Sequence, residues 1–160
     1  MAVKNTRIAI KNIDDVKARL KNLGYSVKQS RTQINKALRP AATKLVKAMQ
    51  QAYRNEFNTH NRKRDGRRTP TWQTIGIKTA KSSRNPALYV GPLKSRTTPI
   101  KVKGKDSYNL AAMQIKGNKY QPPRKNIFEA TAKKMESTVY LSAEKDLDKM
   151  LNKLIKKAGL

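Results

Sequence analysis

The residues of this sequence best suited to chemistry are cations. From His60 to Arg68 the chain reads HNRKRDGRR, so Arg62, Lys63, Arg64, Arg67 and Arg68 are opposed by Asp65 alone. Guanidinium and ammonium groups at that density attract phosphates without reading a base sequence, and the attraction falls steeply with salt. The same run also suits a hydrated connecting loop, and the residues alone leave both readings open. Groups for catalysis are scarce by comparison. His60 is the only histidine and sits within the polar run. Glu144 and Asp148, four residues apart, have the spacing of a metal pair. They stand among lysines with Asp146, and no histidine or further convergent carboxylate completes a site. Asp14 and Asp15 are explained by the positive end of a helix. There is no glycine-rich phosphate loop, nucleophile elbow or pair of metal-binding histidines. The pattern points away from an enzyme and calls for no metal or other cofactor.

The charge of the whole chain extends the theme. Its 160 residues contain 37 Lys and Arg against 10 Asp and Glu, a formal charge of +27. Such a chain repels itself unless a polyanion or an acidic protein surface lies nearby. The excess is uneven: residues 1–59 hold 13 basic and 3 acidic side chains, 60–125 hold 17 and 2, and 126–160 hold 7 and 5. Aromatic residues do not interleave with the cations as a base-stacking platform requires. Trp72, Tyr89, Tyr108 and Tyr120 are spread out, and Trp72 and Tyr89 occupy strand positions where core packing is expected. The absence of cysteine excludes disulfides and thiolate zinc sites. The start, MAVKNTRIAIKNID, carries charges where a signal peptide is apolar, and no run of 18 apolar residues occurs, so a soluble chain without a membrane partner is expected.

The length suits one domain, residues 1–160, with one modest core. Alternation at Ile8 and Ile10 predicts a short strand. Ile13, Val16, Leu20 and Leu23 predict a short amphipathic helix, closed by Gly24. From Thr32 to about Asn58, apolar residues from Ile34 to Tyr53 recur with a period near 3.6 and predict a long helix. Pro40 predicts a kink in it, or a main segment that starts there. Residues 71–80 read as a strand starting near Trp72 and bulged at Gly76. Residues 87–92 read as a second strand and 99–103 as a third, and 107–117 as either helix or strand. The double proline at 122–123 marks a loop. Ile127 to Ala158 predicts one long helix with a break near Ser142. The expected class is α+β: a small, mostly antiparallel sheet packed by two long helices, plus a short N-terminal helix.

Four of these segments, in order, resemble the tail-completion, head-tail joining or neck proteins of long-tailed bacteriophages. INKALRPAATKLVKAMQQAY is similar to that family's long alanine-rich helix. TWQTIGIKTAK with ALYVGP resembles its strand pair, ending at Val90, Gly91 and Pro92. YNLAAMQIKGN looks like its segment of Tyr or Ala, apolar residues and a closing Gly, here Gly117, and YQPPRKNIFEATAKKM, with Pro122, Arg124 and Ala130, resembles its approach to the last helix. The resemblance covers roughly residues 31–140, which makes 1–30 an N-terminal extension and 31–160 the family-like core with its basic loop at 60–71.

The resemblance implies a structural virion protein of the neck, located in the host cytoplasm during assembly. It implies a homo-oligomeric ring joining the DNA-filled head, through a portal or adaptor, to a tail terminator or tail tube, with the genome passing through the lumen. On this reading Arg62, Lys63, Arg64, Arg67 and Arg68 meet either DNA or an acidic neighbouring ring, and Gly117, Lys119, Pro122, Pro123, Arg124 and Lys125 are assembly candidates. The rival reading is a basic, non-specific nucleic-acid-binding protein of ribosomal or nucleoid type. A weaker rival, a nuclease-like enzyme, would need Asp146 or Asp148 to hold a metal.

Overall fold

The start of the chain's main helix is written in a local exchange of hydrogen bonds. The Gln29 amide donates to Ser26 Oγ (3.3 Å) while the Ser26 amide donates to Gln29 Oε1 (2.9 Å). This reciprocal pairing satisfies backbone donors that a helix start leaves without partners. In a computed structural model that describes residues 6–9, 12–57, 71–81, 85–93 and 127–159, the elements are β1 (Thr6–Ile8), α1 (Ile13–Asn22), α2 (Val27–Phe57), a 3-10 turn (Thr71–Thr74), β2 (Ile75–Thr79), β3 (Leu88–Pro92) and α3 (Ile127–Lys157). The class is α+β, as expected. α2 starts at Val27 rather than Thr32 because the Ser26/Gln29 pair caps it there, so a division of the chain at residue 30 falls inside a helix.

α1 follows its sequence closely. Val16 and Leu20 are buried, and Asp14 and Asp15 pair with Lys17 (3.0 Å) and Arg19 (3.1 Å) across the first turns. Its end is a Schellman closure: the Tyr25 amide donates to the Leu20 carbonyl and the Gly24 amide to that of Lys21. Gly24 adopts φ +80, and a Cβ there would meet nothing within 4 Å. Gly24→Ala should therefore destabilise through backbone strain alone, by about 1 kcal/mol, measurable by urea denaturation. A loss near zero would mean that the cap does not persist in solution.

α2 runs unbroken from 27 to 57 with Pro40 inside it, so no separate main segment begins at the proline. Pro40 lacks an N–H for the Lys36 carbonyl, but it lies on the exposed side of the helix, where water can serve that carbonyl. On the opposite side Ile34, Leu38, Ala41, Ala42 and Met49 are wholly buried, and Tyr53 nearly so. This is the 3.6-residue periodicity expressed as a core face. α3 is likewise one continuous helix, without a break at Ser142. Val139, Ala143, Leu147 and Leu151 form its buried ridge at four-residue intervals, while Ala130 is exposed. The two helices run antiparallel: Tyr53 stacks on Phe128 (centroids 6.1 Å, interplanar angle 7°), and Lys44 Nζ donates to Ser142 Oγ further along (2.9 Å). Ala37 and Ala41 lie on the buried face of α2.

The sheet is antiparallel with order β1-β3-β2. β1 supplies its third described strand by pairing Thr6, Arg7 and Ile8 with Val90, Tyr89 and Leu88. The 99–103 strand and the 107–117 segment predicted from sequence lie outside the described residues. Pairing of β2 with β3 is continuous, Gly76 opposite Gly91 and Ile77 opposite Val90, so the bulge expected at Gly76 is absent. The apparent break in alternation there arises because Trp72 and Thr74 belong to the 3-10 turn and not to the strand. α2 clamps β2 at both ends: Gln50 Nε2 donates to the Ile75 carbonyl (3.2 Å) and the Arg31 guanidinium to that of Ala80. α2 thus lies across β2 and β3, while α3 packs along α2 and meets the sheet chiefly at β1. The two long helices do not share the sheet face equally. Ile8, Val16 and Leu20 join the α2 and α3 side chains in a single hydrophobic cluster.

Candidate nucleic-acid interface

The buried face of α2 forces its polar residues onto one outer surface. The helix carries Lys28, Arg31, Lys36, Arg39, Lys44, Lys47 and Arg54, against the single acid Glu56. Two of these cations are used inside the fold, Arg31 at the Ala80 carbonyl and Lys44 at Ser142. Lys28, Lys36, Arg39, Lys47 and Arg54 are exposed, and no carboxylate pairs with them among the described residues. At 100° per residue these five fall within an arc of about 100°. Lys36 and Arg54, five turns apart, lie in line over about 27 Å of helix axis. Thr32 and Thr43, on the same surface, donate their hydroxyls to the Lys28 and Arg39 carbonyls (3.0 and 2.9 Å). The surface is therefore a cationic strip on a rigid element.

Its C-terminal end is held by an aromatic ring. The Arg54 guanidinium carbon stands 5.0 Å from the centre of the Trp72 ring. A guanidinium over a ring is attracted to its face and still has N–H donors to offer an anion. Trp72 itself is half-buried against the core, and its Nε1 is buried with no acceptor among the described residues. It serves as a platform for Arg54. Tyr89, paired in β3 with Arg7 and Lys78, is half-buried as well.

The cations predicted from sequence as the contact loop, Arg62, Lys63, Arg64, Arg67 and Arg68, lie outside the described residues, as do His60, Tyr108, Tyr120 and the assembly candidates Gly117, Lys119, Pro122, Pro123, Arg124 and Lys125. The α2 strip was missed because its charges are dispersed through the sequence, seldom more than one per turn. The signal was the recurrence of Lys or Arg at positions 36, 39, 47 and 54 against a clean apolar stripe.

Two other features have mixed character. A cavity of about 610 Å³ between β1 and α3 is lined by Arg7, Lys133, Glu129 and Glu136 beside Leu45 and Val139, charges of both signs over an apolar floor. On α3 the Tyr140 hydroxyl donates to the Glu144 carboxylate, which holds its pKa above the ordinary value of 10.0. Among the described residues no three of His, Cys, Asp and Glu converge as a metal site, and no helix is long and apolar enough to cross a membrane. Set against known protein families, curated proteins and solved structures, the chain matches none.

Proposed function

We propose that this is a structural, non-enzymatic protein of the neck of a long-tailed bacteriophage, acting as a ring of identical subunits between the portal or adaptor and the tail terminator or tail tube. The observation that carries this reading is the unpaired cationic face of α2. In a closed ring each inward charge is repeated by every subunit, and a polyanion in the lumen offsets the repulsion that a charge of +27 imposes on each copy. The family resemblance supplies the location. The segments that resemble its alanine-rich helix, its strand ending at Val90-Gly91-Pro92 and its last helix form α2, β3 and α3, and all three contribute to one hydrophobic cluster.

Fractionation of purified particles into heads, tails and joined virions tests the location. The chain should accompany the head-tail junction, and loss of its gene should leave filled heads and tails unjoined. Recovery with ribosomes or bulk nucleoid, and not with particles, would favour the rival reading. For the loop, replacing Arg62, Lys63, Arg64, Arg67 and Arg68 together with Ser should leave the circular-dichroism spectrum unchanged, since none belongs to the apolar pattern, yet impair head-tail joining or DNA retention. Full infectivity of that virus would reduce the loop to a solvated turn.

A further inference from the structure

We infer that the outer face of α2, with Lys36, Arg39, Lys47 and Arg54 as its contacts, binds the phosphate backbone of duplex DNA independently of sequence, and not an acidic protein surface. The inference rests on the neck reading only for which DNA is met; the contact itself is a property of the face.

The choice between nucleic acid and acidic protein turns on what accompanies the charges. A protein partner needs a desolvated centre, because protein interfaces are built on a few buried aromatic or aliphatic anchors inside a polar rim. Between Lys36 and Arg54 the exposed positions include five Lys or Arg, no acid, and Pro40 as the one non-polar residue. Among the described residues the large exposed hydrophobics are Val27 and Leu141, and neither lies on this strip. A face of cations without anchors is unsuited to a dry protein contact. It fits a nucleic-acid backbone, whose interfaces are polar, wet and strongly positive on the protein side.

Geometry narrows the nucleic acid. The four contacts extend over about 27 Å, less than one turn of B-form duplex, along which charge recurs every ~1.7 Å of axis. One unbroken helix that carries all four cations within one arc can set them against such a rod together. Single-strand binding, by contrast, relies on aromatic faces open to bases, and among the described residues the aromatic ring beside this strip, Trp72, is half-buried with Arg54 over it. On this face Arg54 is held over Trp72, and the other three contacts, Lys36, Arg39 and Lys47, are isolated exposed charges; such charges suit phosphates, and phosphate contact positions the protein without specifying sequence.

The test uses the full chain and fluorescence anisotropy with two labelled 20-base-pair duplexes of unrelated sequence, over a range of salt. The variant Lys36→Gln/Arg39→Gln/Lys47→Gln/Arg54→Gln should flatten the slope of log K against log salt by about 3–4, equally on both duplexes. A charge-matched variant on α3, Lys134→Gln/Lys145→Gln/Lys149→Gln/Lys153→Gln, removes the same net charge from exposed sites and should change the slope by less than about 1. Should the quadruple α2 variant fold poorly by circular dichroism, the double variant Lys36→Gln/Lys47→Gln should flatten it by about 2. Equal effects of the α2 and α3 variants would reduce the face to bulk charge and overturn the proposal. So would an unchanged duplex slope accompanied by loss of binding to polyglutamate, which would assign the face to an acidic protein. The outcomes separate from those of particle fractionation. A flattened slope with the chain absent from necks keeps the face and removes the neck, and the converse keeps the neck and removes the face.

Discussion

Replacing Phe128 with Ala should cost about 3–5 kcal/mol of folding stability. The ring is almost wholly buried and stacks on Tyr53, itself buried, at the point where the start of α3 meets the end of α2. Its removal takes away transferred apolar surface, leaves a cavity between two long helices that cannot both shift inward, and deletes a ring contact worth about 0.5–1.5 kcal/mol beyond its area. Against a typical total of about 5–15 kcal/mol the loss is large, and for a domain of this size it corresponds to a fall in Tm of roughly 6–20 °C. Urea denaturation followed by circular dichroism measures it. Phe128→Leu, which keeps most of the volume, should recover more than half of the loss. A cost below about 1 kcal/mol for Phe128→Ala would mean that α3 does not dock on α2 through this pair.

Raising salt from about 50 to about 200 mM should weaken binding of the intact chain to any duplex by about 10³–10⁵-fold, provided that six to ten phosphates are neutralised. The unpaired cations of α2 supply up to five of these contacts, and the basic run at 62–68 offers another five. Binding should be nearly lost by about 0.3 M salt, with no preference between sequences, because released counterions and not base contacts drive it. Titration by anisotropy at four salt concentrations checks this. Retention of one particular RNA or DNA sequence at the highest salt would contradict both the backbone contact and the neck assignment, and would favour a base-reading protein.

These two expectations draw on different layers of the molecule. The positions of Phe128 and Tyr53 within apolar stripes are visible in the sequence, but their stacking is not, since it depends on the antiparallel docking of helices some seventy residues apart in the chain. Local signals were legible wherever they were self-contained. Gly24 closes α1 because only a residue free of Cβ strain fits a positive φ at that turn. The Ser26/Gln29 exchange is equally local, and its spacing marks the start of α2 one turn and more ahead of the stronger apolar pattern. Trp72 looked like a strand residue because alternation over a few positions does not distinguish a strand from the single turn that precedes it.

The α+β class, the extents of α1 and α3 and the core face of α2 were legible in the sequence, because helical periodicity is carried by neighbouring residues. Long-range contacts set the pairing of β1 with β3, the hold of Gln50 and Arg31 on the two ends of the β2 segment, and which cations of α2 remain exposed. Arg31 and Arg39 are the same residue type eight positions apart on one helix. One donates to the Ala80 carbonyl and holds the fold together, while the other stands exposed. The difference lies in what folds against each, and no spacing along a single chain records that.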